Sequence, residues 1–251
     1  MTNYKLKILF FLLGLAGITS CSKSPFTCEF SGEKEIKTVE LEDFNSLEVN
    51  PQIELKIFHS TENKMTIETD MDVMKDIDYQ IIDNKLVLTN HRECLIQNTD
   101  AVATITLYVD DINTIIANTD LDIYSGNLWQ FNELKIICEN NETGTNNIAD
   151  FHLQVDIDKL DIIANGSSIF DISGSCRDLY VGFYGVNPVL NAKDLIARKI
   201  KVLQRSDADM HLYPVEEITG DLYGYGDIYL YHHPPVVNIT EHYAGHIYFV
   251  N

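Results

Sequence analysis

Basic residues are scarce in this chain: 18 Lys and Arg stand against 38 Asp and Glu over 251 residues, for a formal net charge of −20. A surface this acidic repels phosphate backbones, which argues against nucleic acid as a partner. Its plainest role is to keep the molecule solvated and self-repelling. Long apolar runs are missing after the first twenty residues, so no later segment is expected to cross a bilayer as a helix. Glycine and proline number only 13 and 6 and no low-complexity block occurs, so most of the chain is expected to be ordered. Phosphate-binding glycine loops, dinucleotide fingerprints and nucleophile arrangements are missing, and no cofactor is expected. The five cysteines match no CxxC-type metal or redox spacing.

The N-terminus sets the address. Lys5 and Lys7 form a short positive region, and Ile8 to Ile18 (ILFFLLGLAGI) is apolar but too short for a stable span. The run ends at Thr19-Ser20-Cys21, and a small residue just before a cysteine here resembles the lipobox of bacterial lipoproteins. The resemblance implies a signal peptide at 1–20 and lipid on Cys21. Residues 21–35, which lack periodicity, then read as a tether, and 36–251 as the body. The expected partner is a membrane, held through acyl chains. The expected location is the cell envelope, lipid-anchored at the outer membrane, with the periplasmic or surface face left open. Loss of Lys5 and Lys7 deepens the net charge from −20 to about −22. Cys28, Cys94, Cys138 and Cys176 remain, and an oxidising envelope permits a disulfide whose pairing these positions leave open.

The body reads as β-structure throughout. Ile53–Ile57, Met65–Glu68, Leu86–Thr89 and Ala101–Val109 alternate apolar and polar residues, and Asp83-Asn84-Lys85 suits a hairpin turn. Only residues 72–78 suit a helical turn. In the second half Ile112, Leu134, Leu160, Leu179, Ile200, Ile218 and Val237 recur 18 to 26 residues apart. The longest gap holds the polar stretch 139–147 (ENNETGTNN), expected as an ejected loop. A second apolar cluster follows about ten residues into most repeats: Leu121 and Ile123, Ile169 and Ile172, Val189 and Leu190, Met210 and Leu212, Ile228 and Leu230, Ile247 and Phe249. Two strand signals per repeat describe a coil of β-helix. The expected fold is all-β: a right-handed single-stranded β-helix (β-solenoid) with an N-terminal β-strand-rich segment. A β-sandwich is the alternative, but a sandwich needs no fixed period.

Several stretches, FNSLEVNPQIELKI from Phe44, YQIIDNKLVL from Tyr79, Ala103–Ile116 and TGDLYGYGDIYLYHHPPVV…GHIYFV from Thr219, follow the order of a known family. Over residues 36 to 251 the chain resembles the Bacteroidetes "putative auto-transporter adhesin, head GIN domain" family. The family's Gly-Ile-Asn element is replaced here, with Val49-Asn50-Pro51-Gln52 near its place. The resemblance implies a right-handed β-helix on a secreted lipoprotein with an adhesin-like role, and it brings no catalytic residues. Surface-exported lipoproteins of that group tend to carry acids just after the lipidated cysteine, whereas Ser22-Lys23-Ser24-Pro25 follows here.

Three chemistries have candidate residues. Fragments of a polygalacturonase-like site occur: Asn118-Thr119-Asp120, Asp110-Asp111, Gly245-His246 and Arg198-Lys199-Ile200-Lys201. Their order is wrong, and Asp120 and His246 belong near opposite ends of a stack. A polysaccharide-active hydrolase or lyase on the same scaffold is therefore the alternative reading, not the first. A metal site among His211, His232, His233, His242 and His246, or at Asp207 and Asp209, lacks the spacing that metal ligation needs on a strand, so no metal is expected. The third candidate is ligand binding by aromatics. From Leu222 to Tyr231 the residues alternate, placing Leu222, Gly224, Gly226, Ile228 and Leu230 on one face. Tyr223, Tyr225, Asp227, Tyr229 and Tyr231 fall on the other, a row suited to sugar stacking; covering the end of the solenoid would serve as well. The first reading is a non-enzymatic, adhesin-like or structural binding module, with a glycan or an envelope protein as its partner.

Overall fold

Side chains that alternate between interior and solvent build every major element of this protein. A computed structural model describes residues 30–92, 103–139, 148–185 and 187–250. The expected signal peptide, Cys21, Cys28, Cys94 and nearly all of the 139–147 loop lie outside them. In chain order the strands are β1 Lys34–Glu40, β2 Ser46–Val49, β3 Ile53–His59, β4 Lys64–Asp70, β5 Ile77–Ile82, β6 Lys85–Asn90, β7 Ala103–Val109, β8 Thr114–Ala117, β9 Ile123–Ser125, β10 Glu133–Cys138, β11 Phe151–Ala164, β12 Ile169–Phe183, β13 Val189–Gln204, β14 Met210–Leu222, β15 Ile228–Leu230, β16 Val236–Glu241 and β17 Ile247–Phe249. All join one strongly curled 17-stranded sheet. The described α-helix is a single turn, α1 Met71–Met74, which overlaps the start of the 72–78 stretch expected to allow one. Asp70 caps it by accepting the Asp72 N–H at 2.8 Å. Burial works against the Asp70 charge, but this bond and those from Ser31 and Gly32 hold its carboxyl below its usual range.

Two parallel ladders run through the sheet. In the first, the inward column is Leu86, Leu47, Ile115, Ile136, Ile162, Val181, Val202, Gly220 and Ile239. In the second it is Ile105, Leu55, Ile123, Phe151, Phe170, Leu190, Met210, Ile228 and Ile247. Gly220 has no side chain to bury and Ile239 and Ile247 are half-buried, but each of the other side chains contributes roughly 1.5–3 kcal/mol by its burial. A one-residue slip would turn a whole column outward, so the pattern itself fixes the register. The expected alignment is met from Leu134 onward, where Leu134, Leu160, Leu179, Ile200, Ile218 and Val237 stand in direct register. It fails at Ile112: Lys135 lies opposite Thr114, so Ile112 is off the column although fully buried.

The N-terminal half is no separate segment. β2 lies between β6 and β8, and β3 between β7 and β9, all in parallel, so the first strands extend the same two ladders. The β5–β6 hairpin and the antiparallel pairs β1–β4 and β4–β7 are added at that end. Asp83 and Asn84 turn the hairpin with φ of 50° and 61°, a left-handed pair that Asp and Asn tolerate.

Two features tie adjacent levels together. Outward on the first ladder, Glu133, Lys159, Asp178, Lys199 and Glu217 alternate in sign from one level to the next. Trp129, the sole tryptophan, is fully buried and donates its indole N–H to the Ile57 carbonyl at 2.9 Å. Cys138 and Cys176 are buried free thiols, and burial pushes them up to about 11 and about 12 respectively.

Candidate functional site

Leu222, Gly224, Gly226, Ile228 and Leu230 are buried, and Tyr223, Tyr225, Asp227, Tyr229 and Tyr231 face solvent in whole or part. The expected alternation therefore holds, although regular strand covers only β15 and the last residue of β14 within it. The two glycines pack closely rather than adopting a left-handed turn. A β-carbon on Gly224 would stand 2.0 Å from the Ser206 carbonyl oxygen, and one on Gly226 2.0 Å from that of Ala208. Their missing side chains let this level settle onto the one before it.

The tyrosines do not form a free row, because each meets a residue one level away. The Tyr223 ring lies flat on His242, centroids 4.1 Å apart and 6° from parallel, while the Arg205 guanidinium covers Tyr223 at 5.2 Å. Tyr229 stacks on both His211 and Tyr248, at 5.1 and 5.4 Å. The Tyr231 hydroxyl is 3.1 Å from His211 Nδ1. Sugar stacking needs an open ring face, and these contacts occupy the faces of Tyr223 and Tyr229. Tyr225 differs. Its ring meets Tyr243 edge to face at 4.9 Å with the hydroxyls 3.0 Å apart, and the two are 59% and 58% exposed. The hydrogen bond to Tyr243 raises the Tyr225 pKa above its ordinary value.

Asp227 is a rung. Its backbone N–H donates to Asp209 Oδ1 at 2.8 Å, and its own Oδ1 accepts from the His246 N–H at 2.8 Å. Asp150 does the same for the Ile169 N–H at 3.1 Å, and burial raises its pKa. Acids at this corner thus satisfy backbone donors on the next level.

The other candidates disperse. His232 Nδ1 lies 2.9 Å from the Pro214 carbonyl oxygen, His233 stacks on Phe249, His242 meets Asp221 at 2.8 Å and His246 meets Glu241 at 2.9 Å. Among the described residues no three His, Cys, Asp or Glu side chains converge as a metal site would. Thr119 donates its hydroxyl to the Ile53 carbonyl, Asp120 accepts the Gln52 N–H, and Arg198 pairs with Glu216. An open groove beside Asp156, Asp158, Arg177 and Arg198 has its cations matched, Arg177 by Asp158 and Asp178 and Arg198 by Glu216.

Sequence reasoning missed Tyr243, Tyr248 and Arg205, and weighed His242 only as a metal ligand and not as the partner of Tyr223. The repeat held the signal: Tyr243 lies 18 residues after Tyr225, and His242 and Tyr248 lie 19 after Tyr223 and Tyr229.

The architecture defines a class: all-β proteins whose strands stack level on level in one curled sheet. The chain belongs to the family described as "putative auto-transporter adhesin, head GIN domain", whose model matches residues 43–234. Among solved structures, a "putative adhesin" from Bacteroides fragilis NCTC 9343 is 17% identical with a TM-score of 0.80, over 89% of this chain and 100% of that one. A "putative adhesin" from Parabacteroides merdae ATCC 43184 is 15% identical, TM-score 0.64, over 89% and 99%. A "putative lipid binding protein" from Parabacteroides distasonis ATCC 8503 is 12% identical, TM-score 0.60, over 89% and 99%. At these identities the likeness concerns the fold. No curated protein matches by sequence.

Proposed function

We propose that this protein is a non-enzymatic, adhesin-like binding module of the cell envelope, tethered by lipid on Cys21. Its body, residues 36–251, is read as a right-handed single-stranded β-helix, in keeping with the parallel level-by-level registers. The ligand is a glycan. Of the row Tyr223, Tyr225, Asp227, Tyr229 and Tyr231, it is met at Tyr225 with Tyr243 beside it, since neighbouring levels occupy the faces of Tyr223 and Tyr229 and Asp227 serves backbone donors. The observation that carries this reading is the exposed Tyr225–Tyr243 pair, which offers apolar ring surface next to two linked hydroxyls. That combination suits a sugar, which has C–H faces and hydroxyl edges. The net charge of −20 favours neutral or basic sugars over acidic ones. The adhesin family and the adhesins among the structural relatives support a binding role. A non-enzymatic role is supported by the tying of Thr119, Asp120, Arg198 and His246 into structural contacts.

The test is to apply the whole purified chain to an array of neutral and amino-sugar glycans. Retention that falls in Tyr225→Ala and Tyr243→Ala is the expected result. Retention indifferent to both changes removes the site, and shortening of a retained glycan removes the non-enzymatic reading.

A further inference from the structure

The two ladders end differently at their two extremities. At one, the second ladder is edged by β1, with the four charges Lys34, Glu35, Lys37 and Glu40 in seven residues, and the first by β5 of the β5–β6 hairpin. Charged edge strands discourage further pairing. At the other, β16 pairs only with β14, and β17 only with β15, among the described residues. Their outer edges carry backbone donors and acceptors without a ladder partner. These strands read VVNITE and IYF, with Glu241 their single charge. From His232 to Val250 the chain holds no Lys or Arg and no other acid.

Side chains on this level are apolar where earlier levels are charged or covered. Outward on the first ladder, Val236 takes the position held in turn by Glu133, Lys159, Asp178, Lys199 and Glu217. Inward, Val237 continues the Leu134–Ile218 column but is 41% exposed, whereas Ile218 is fully buried. Phe249 continues the Leu212–Leu230 column and is 44% exposed, with both predecessors fully buried. The last level thus shows an uncovered apolar cross-section rimmed by free strand edges.

We propose that this edge is an interface between two copies of the chain, β16 and β17 of one meeting the same strands of the other. Charge selects the occupant. Two molecules of net charge −20 repel each other over most of their surfaces. The nearly uncharged final level is where they meet with least repulsion, while a basic partner would be drawn to the acidic surface elsewhere. A self-matching contact of one patch on its copy closes after two molecules, so the assembly is a dimer and not a fibre. This goes beyond the glycan reading and does not depend on it.

The experiment is sedimentation equilibrium of the whole chain in density-matched detergent over a range of protein concentrations. Val236→Lys and Phe249→Lys place a lysine on each edge at half-exposed positions, the second giving up the Phe249 stack on His233. The wild type is expected at twice the chain mass, and each variant at the single-chain mass with an unchanged far-ultraviolet circular-dichroism spectrum. Wild type at single-chain mass throughout overturns the proposal, as does a dimer that both variants leave intact. Amide exchange reads the same edge without mutation. Protection of 236–241 that rises with protein concentration supports the interface, and protection independent of concentration overturns it.

Discussion

A methyl group added at Gly220 would stand 1.9 Å from the Val202 carbonyl oxygen, on a backbone whose φ of +138° already disfavours an L side chain. Gly224 and Gly226 meet the first of these obstacles without the second. Gly224→Ala should therefore cost about 1–3 kcal/mol, an overpacking penalty. Gly220→Ala should cost more, because strain adds to overlap. Urea unfolding midpoints of the two variants check the order. At the last level, the Glu241 bond raises the His246 pKa above 6.5, and the His246 bond lowers that of Glu241 below 4.5. The His246 contribution is full below 6.5 and lost as pH climbs through the raised value. The Glu241 contribution is full above 4.5 and lost as pH falls through the lowered one. The pair is thus firmest between pH 4.5 and 6.5. Since Ile247 N–H donates to Glu241 Oε1 at 3.0 Å, exchange at that amide, corrected for intrinsic rate, should be slowest in this window. Glu241→Gln should flatten the profile. Alternation made the solvent face of Tyr223 to Tyr231 legible in the sequence. The stacking partners were not, because His242 and Tyr248 meet their tyrosines through a register 19 residues away, and the row was read along the strand rather than across levels.

Among elements, the repeat from β10 onward was legible because consecutive levels are consecutive in sequence, as Leu160 opposite Leu179 illustrates. The first half was legible only as strands. There β2 pairs with β6 and β8, and the β5–β6 hairpin, the β4 pairing and the fragmentary β8 and β9 interrupt any period. A stack held by nearest neighbours should tolerate loss of one whole level. Excision of 179–199 joins Asp178 to Ile200 at equivalent registers, since Asp178 faces Lys199. That chain should keep its β-sheet circular dichroism and melt cooperatively at a lower temperature, whereas excision of 190–199 alone should abolish the transition. Trp129→Ala empties a fully buried site and removes one of two hydrogen bonds to the Ile57 carbonyl, which keeps that from the Gly126 N–H, at a cost of about 3–5 kcal/mol by denaturant unfolding.

For the whole molecule, the family membership rests on the family model that matches residues 43–234, and the all-β fold on the strands themselves and their likeness to solved structures. The proposed envelope anchor rests on Ile8–Ile18 and Cys21, so Cys21→Ser should move the protein from the membrane fraction to the soluble fraction of lysed cells. Acidity shapes the remainder: it disfavours polyanions over the body and leaves the nearly uncharged final level as the proposed place where copies meet. The central claim, a binding module working through Tyr225 and Tyr243, is tested most directly by the affinity of the whole chain for immobilised neutral glycans, wild type against the double variant Tyr225→Ala, Tyr243→Ala. The account predicts saturable binding that weakens about tenfold or more when both rings are lost, with the glycan recovered at full length. Equal binding by the two proteins, or no binding by either, would contradict it.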